Sequence, residues 1–313
     1  MNKIQVTELE HLFGASKDEI LDFCAEELQA FNGNYQRLND GKKDKALVEA
    51  IKKITLNFDK KSGPDRLPEW ERGWSENLER FSENVDDLSS LVPGYVRPNQ
   101  IMRFNNDYAI FEDPEIEKQY LALFRAWLSN KYFKPYNNIY EFGCGSCSHV
   151  AYLANRFVSK KIFGLDWAAA SVKICNLLNE KKGLNVEGRQ FDFFKPDYDL
   201  IIEQSSAVFT FGALEQCGRD FGPFIDYLVK KSPDICIHVE GLDELYDQSQ
   251  LFDFLAYEYN KNRNYLTGLV DYLKALESDS KINILKIHRQ KFGSRYNDTL
   301  SYVVWQPIKG DCK

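Results

Sequence analysis

The apolar positions of this chain change their period near residue 139. Before it, helical spacing dominates. Ser16-Lys17-Asp18-Glu19 has the form of a capping box, and Ile20, Leu21, Phe23, Cys24, Leu28 and Phe31 follow at helical intervals. Ala46, Leu47, Ala50, Ile51 and Ile54 make a second stripe, and Trp70, Trp74, Leu78, Phe81 and Val85 a third, with residues 60–65 as the loop between them. Residues 91–113 are broken by Pro93, Gly94 and Pro98 and predict an extended connector. Asp113-Pro114 then predicts a helix start, with Tyr120, Leu121, Leu123, Phe124, Trp127 and Leu128 on the buried side.

From 139 onward short apolar runs alternate with helical stretches. Strands are predicted over 139–142, 161–165, 186–191, 207–211 and 235–239, and helices over 149–157, 172–178 and 224–229. Such alternation implies a parallel sheet with helices on both faces. An aromatic segment of mostly helical spacing covers 241–280, and 282–289 and 300–305 predict two more strands. The link between those two is too short for a helical crossover, so they should pair antiparallel. The expected architecture is α/β, a seven-stranded and mostly parallel sheet with an antiparallel terminal strand pair, plus an N-terminal helical extension. The expected division is 1–112 for the extension and connector, and 113–313 for the main domain with its insert at 241–280.

Charge and cysteine usage narrow the field. A net charge of −7 argues against a nucleic-acid partner, which needs a basic footprint. The lysine-rich run at 42–61 reads as the solvated face of a helix. No stretch has the length of a membrane span, and the opening MNKIQVTELEH lacks the apolar core of a signal peptide, so a cytoplasmic protein is expected. Seven scattered cysteines (24, 144, 147, 175, 217, 236 and 312) fit reduced thiols better than a disulfide framework.

The candidate chemistry starts at Glu141-Phe142-Gly143-Cys144-Gly145-Ser146-Cys147, between a strand and a helix. Glycine has no Cβ, so a ligand can lie close against such a turn. Each later strand also ends near a carboxylate: Asp166, Asp192, Glu215 and Glu240. Ligands of open parallel sheets bind outside the carboxyl ends of the strands, so these acids should gather on one rim. Asp166 suits the two hydroxyls of a ribose. Asp192 suits an adenine amine, with Phe193 stacking nearby, and Glu141 suits a cation better than a pyrophosphate. Alternation puts His238 and Glu240 on one face, as a general-base or substrate-orienting pair or else as a core histidine and a solvated acid. Asp243, Glu244 and Tyr246 follow and could line the same pocket. His11, His149 and His288 have no ligand pattern, and Cys144-x-x-Cys147 lacks a second cysteine pair, so neither a metal nor a thiol chemistry is expected.

With these residues in place, the region 115–306 resembles the class I S-adenosylmethionine-dependent methyltransferases. The resemblance rests on Glu141-x-Gly143-x-Gly145, Asp166 ending the second strand and Asp192 after the third. It implies S-adenosylmethionine as cofactor. The glycine turn would pass its methionine part, Asp166 would hold the ribose, Asp192 would meet the adenine, and Trp167 would be the bulky residue beside it. Phe211-Gly212-Ala213-Leu214-Glu215-Gln216 is similar to the motif that borders both cofactor and substrate. In this superfamily an N-terminal extension often closes over the cofactor, which brings Tyr95, Arg97 and Arg103 into consideration, with Arg263, Asn264 and Tyr265 of the insert as another wall.

Three departures stand out. Cys147 replaces a third glycine, Gln216 stands where many small-molecule members have histidine, and no Asn-Pro-Pro-Tyr or Asp-Pro-Pro-Tyr follows the fourth strand. The expected activity is methyl transfer to an oxygen or nitrogen of a small-molecule acceptor, such as a sugar or natural-product intermediate. His238, Glu240 and Glu215 are the catalytic candidates. Glu141, Gly143, Gly145, Asp166, Trp167, Asp192, Phe193 and Gly212 are the cofactor candidates. A nicotinamide dinucleotide oxidoreductase is the first alternative, through Gly143-x-Gly145-x-x-Ser148, with Glu141 and the antiparallel pair against it. A non-catalytic methyltransferase-fold partner subunit is the second.

Overall fold

A computed structural model describes residues 2–56 and 60–309, so part of the lysine run and Cys312 lie outside the described residues. The N-terminal part holds β1 (Asn2–Lys3), α1 (Val6–Phe13), α2 (Lys17–Phe23), α3 (Ala25–Ala30), β2 (Asn34–Arg37), α4 (Asp40–Thr55), α5 (Leu67–Glu83), β3 (Met102–Phe104) and β4 (Asp107–Phe111). Then come α6 (Ile116–Leu128), β5 (Asn138–Phe142), α7 (Ser148–Arg156), β6 (Lys161–Asp166), α8 (Ala169–Lys182), β7 (Val186–Gln190), β8 (Ser206–Phe211), α9 (Gly222–Lys231) and β9 (Ile235–Glu240). The chain ends with α10 (Leu251–Arg263), α11 (Leu269–Ser278), β10 (Ile282–His288), β11 (Phe292–Gly293) and β12 (Ser301–Pro307). Among the described residues no helix is long and apolar enough to cross a membrane.

Local chemistry explains the main boundaries. The capping box forms as expected: the Glu19 amide donates to the Ser16 hydroxyl at 3.2 Å, and the Glu19 carboxylate accepts from the Ser16 amide. Asp113 caps the chain before α6 by accepting from the Glu115 amide at 2.7 Å. The stretch read as an irregular connector is instead a hairpin. Asn105 and Asn106, with φ of 49° and 57°, turn β3 back onto β4 in the left-handed conformation that tight two-residue hairpins need. This hairpin belongs to a second, five-stranded sheet of order β1-β2-β4-β3-β11, antiparallel throughout. The link between β10 and β12 supplies its last strand. The N-terminal part is therefore helical and stranded, not helical alone.

The central sheet has seven strands in the order β10-β12-β9-β8-β5-β6-β7. Strands β9, β8, β5, β6 and β7 run parallel, and β12 pairs antiparallel with both β9 and β10. The chain steps outward from β5 to β6 and β7, then crosses back to β8 on the other side of β5. The strand order therefore reverses between β5 and β8, where such sheets open a ligand crevice. On one face Ile139, Val150, Leu123 and Phe124 share a continuous core with Phe13 and Phe104 of the N-terminal part. On the other, Tyr140, Phe142, Phe224 and Leu273 form a second core. Phe13 is fully buried with its ring 5.3–5.8 Å from those of Phe124, Tyr120 and Trp127, so α1 docks on α6 by burial worth about 1.5–3 kcal/mol for this one side chain.

A buried ion network ties the added parts to the sheet. Arg103 of β3 donates to Asp298 at 3.0 Å and to Asp253 of α10 at 3.2 Å, and Arg289 donates to Asp253 at 2.6 Å and to Asp298 at 2.8 Å. Arg103 is 1% exposed, so it is a structural residue and not the pocket residue its place in the connector suggested. Removing one partner leaves buried charge uncompensated. Arg103→Met is expected to lower unfolding stability by about 3–5 kcal/mol in urea; a loss below about 1 kcal/mol would show that the network does not hold the parts together.

Candidate cofactor and acceptor site

The glycine turn is pinned to the end of β6. The amides of Gly143 and Cys144 donate to the Leu165 carbonyl at 2.7 and 3.0 Å. Asp166 completes the hold: Oδ2 accepts from the Gly145 amide and Oδ1 from the Ala168 amide, both at 2.8 Å. Burial pushes the Asp166 carboxyl up to about 6, with these two amides opposing the shift. Gly143 and Gly145 have φ of 77° and 52°, which glycine adopts freely. Cys147 sits at 61°, a conformation that costs a residue with a Cβ roughly 1–2 kcal/mol.

The structure distributes the other candidates unevenly. Glu141 does not reach the rim: it is 1% exposed, on the same face of β5 as Ile139, below the turn. Burial first, then neighbouring Cys175 and Asp166, hold its pKa well above the carboxylate range. Phe193 is at the rim, with its ring 3.3 Å from where a Cβ on Gly143 would stand, and it packs on Phe224. Asp192 caps the next turn through the Phe194 amide at 2.9 Å, and Trp167 is half-buried with its ring 6.1 Å from that of Phe194. Gly212, at φ 62°, faces open space.

His238 and Glu240 share a face as expected, but that face is interior. His238 is fully buried and hydrogen-bonded to the Thr210 hydroxyl at 3.1 Å, and burial drives its pKa down to about 3. Its Nε2 has no partner among the described residues. Glu240 accepts from the amides of Ala213, Leu214 and Glu215 at 3.1, 3.1 and 3.3 Å, so it caps the loop after β8. Burial raises it to about 8. Glu215 stays half-buried at the loop itself, accepts from the Gln216 amide group at 3.0 Å, and is raised by burial to about 7. Asp243, Glu244 and Tyr246 line a different cavity of ≈ 380 Å³ with Arg219, Thr267 and Lys274.

Helix α5 lies over the turn. A Cβ on Gly145 would come within 2.8 Å of the Trp74 ring, so that ring occupies the space beside the turn. Glu71 accepts from the Ala169 and Ala170 amides at the start of α8, at 2.7 and 3.1 Å. The Trp70 indole N–H donates to the Gln216 side chain at 3.1 Å, and the Trp70 and Trp74 rings stack 5.3 Å apart. Gly143 is pressed from the other side, with Ala213 only 2.3 Å from the place of its missing Cβ.

Tyr95, already singled out in the connector, lies near the acids of this region. Tyr95 is 64% exposed, yet the surrounding protein, followed by Glu215, Glu117 and Glu141, raises its hydroxyl pKa. Glu117 of α6 is desolvated too, to about 7. His149, the second residue of α7, has its ring 4.3 Å from that of Phe211, and burial and then Arg125 lower its pKa to about 3, so it is neutral. Its place directly after the turn was the available sequence signal.

No protein-family model and no curated protein matches the chain. Solved structures do. The [4+2]-cyclase SpnF has a TM-score of 0.49 at 11% identity, over 77% of this chain and 96% of that one. Geranyl diphosphate methyltransferase in complex with GPP and sinefungin has a TM-score of 0.46 at 11% identity, over 78% and 98%. Magnesium protoporphyrin IX methyltransferase from Synechocystis PCC 6803 with bound SAM has 0.42 at 12%, over 61% and 80%. What decides the fold is this chain's own strand order, with β12 inserted antiparallel between β9 and β10. The chain has the class I methyltransferase fold. Within that methyltransferase fold, the turn after β5 and the loop after β8 flank the point where strand order reverses, and Asp166, Glu215 and Glu240 stand around it.

These acids set a pH dependence. Glu215 and Glu240, raised to about 7 and about 8, hold protons more tightly folded than unfolded, so stability falls as pH rises through those values. Each group lowers stability only between its unfolded value and its folded one, so the decline from these two ends near pH 8. Urea midpoints should therefore fall as pH rises towards 8 and level off above it, and Glu240→Gln should flatten the upper part of the decline. A midpoint that rises with pH there would mean that these carboxyls are not desolvated.

Proposed function

We propose that this chain binds S-adenosylmethionine and transfers its methyl group to an oxygen or nitrogen of a small-molecule acceptor, such as a sugar or natural-product intermediate. One observation carries the reading: the rim at the strand-order reversal carries the desolvated carboxyls of Asp166, which fixes the glycine turn through the Gly145 amide, and Glu215, each raised by burial. A cationic ligand relieves that environment, whereas a pyrophosphate aggravates it. When bound, S-adenosylmethionine supplies an electrophilic methyl on a positively charged sulfur.

The residues fit this cofactor. Each Asp166 oxygen accepts one amide and keeps a lone pair, so the pair can still take two ribose hydroxyls. Asp192, Phe193 and Trp167 serve the adenine, and the backbone of Gly143, Gly145 and Gly212 borders the methionine part. Entry requires Trp74 and Glu71 to leave, which makes α5 the moving part. For the acceptor, Glu215 is the candidate to take a proton, and the Tyr95 hydroxyl stays protonated to donate a hydrogen bond. Glu240 positions the Glu215 loop, and His238 supports it from within the core. Alignment of acceptor and methyl can by itself supply roughly 7 kcal/mol or more.

Trp74 against the turn is the observation that favours the second reading, a non-catalytic member. Calorimetric titration with S-adenosylmethionine, its demethylated product and the two nicotinamide dinucleotides separates these readings. The first two ligands are expected to bind, Asp166→Ala to abolish binding, and Trp74→Ala to tighten it several-fold. Binding of a dinucleotide alone, or of none of the four even by Trp74→Ala, would sink the proposal.

A further inference from the structure

Below the glycine turn, on the side away from the rim, three thiols converge. Cys144 and Cys147 come from the turn and Cys175 from α8. The Sγ atoms of Cys144 and Cys147 are 3.7 Å apart, those of Cys147 and Cys175 3.4 Å, and all three lie within 4.8 Å of one another. All three residues are buried, Cys144 the least so at 4% exposed. Two thiolates held about 2.3 Å from one ion at a tetrahedral angle sit about 3.8 Å apart. The observed separations therefore need only small shifts to admit an ion.

Three further observations point the same way. Gly164 of β6 keeps the space clear, since a Cβ there would stand 2.5 Å from the Cys175 sulfur and 3.2 Å from that of Cys144. Cys147 is held at a φ of 61°, where glycine is favoured, and the chain places a thiol there instead. Glu141, 1% exposed and on the strand that leads into the turn, leaves Oε2 without a hydrogen-bond partner among the described residues, although its carboxylate lies outside the 4.8 Å thiol cluster. Packing of small side chains accounts for the buried sulfurs. It does not account for a buried carboxylate oxygen with nothing to bind.

We propose that Cys144, Cys147 and Cys175 bind one Zn²⁺ ion as thiolates, with the Glu141 carboxylate, which lies outside the 4.8 Å thiol cluster, swinging in to close the fourth position. On binding, each thiol releases its proton to solvent, three per ion, and Glu141 releases its own if it carries one. The positive charge of Arg125, which acts on Glu141, offsets part of the excess negative charge. With four protein ligands the site is closed, so its role is to brace the turn rather than to activate water. The linear reading missed it because the third thiol is a helix away and the carboxylate precedes the turn. Only the packing of β5, β6 and α8 joins them.

The full chain tests this directly. It is expressed in zinc-supplemented medium, purified reduced and without chelator, and its metal content measured by mass spectrometry. The reduced chain is then refolded anaerobically with Co²⁺ and examined for thiolate-to-cobalt charge-transfer absorption. Close to one zinc per chain and a tetrahedral thiolate spectrum are expected, with both lost in Cys147→Ser and Cys175→Ser and the spectrum shifted in Glu141→Gln. A wild-type chain that purifies without zinc and gives no thiolate spectrum overturns the proposal, whether or not the variants fold. So does metal uptake that Cys147→Ser leaves unchanged, which is an adventitious surface ion. The readout is independent of methyl transfer, so its failure leaves the proposed activity standing, and the reverse also holds.

Discussion

Asp166 is the residue on which the site depends. Its two oxygens take the amides of Gly145 and Ala168, so a single carboxylate fixes the turn after β5, the end of β6 and the start of α8 relative to one another. The bond is made in a buried place, where charge-assisted hydrogen bonds are strong and an unpaired carboxylate is costly. The amides of Gly143 and Cys144 on the Leu165 carbonyl make the same connection through the backbone. A turn tied at so many points is preorganised. A ligand meets a finished surface and does not have to order it.

The surface is finished but covered. Trp74 lies against Gly145, Glu71 occupies the first amides of α8, and Trp70 reaches Gln216. These contacts come from the first half of α5 and are polar or aromatic contacts at a rim, whereas Phe81 and Leu78 of its second half belong to the continuous core that holds α1 and α6. Elements held by few buried apolar contacts open at low free energy. The Arg103–Asp253–Asp298–Arg289 network holds the second sheet and the insert to the body independently of α5. In the proposed function the rim is the binding platform and the first half of α5 is its cover.

Much of this was legible in the sequence, for reasons that also explain the rest. Strand and helix alternation after residue 139 is local, and it located every strand of the central sheet and its antiparallel end. Asp166 was legible because an acid directly after a strand has only the rim to go to. The second sheet was not, because its strands are two to five residues long and β11 pairs with a strand far back in the chain. Its one local signal was Asn105-Asn106 between aromatic residues. Alternation placed His238 and Glu240 on one face correctly, but period alone does not say whether that face looks at a ligand or at Phe224 and Trp305. Glu141 faced the same ambiguity at β5 and resolved below the turn. Tyr95 and Glu117 influence one another across separate segments, and no spacing rule joins them.

The central claim is that α5 stands where the cofactor must enter. Hydrogen exchange of the α5 amides, 67–83, with and without saturating S-adenosylmethionine tests it most directly. The account predicts faster exchange along α5 in the bound state, while β5 and β6 stay protected. Cofactor binding with α5 exchange unchanged or slowed would contradict it, and would make α5 a fixed wall of the pocket.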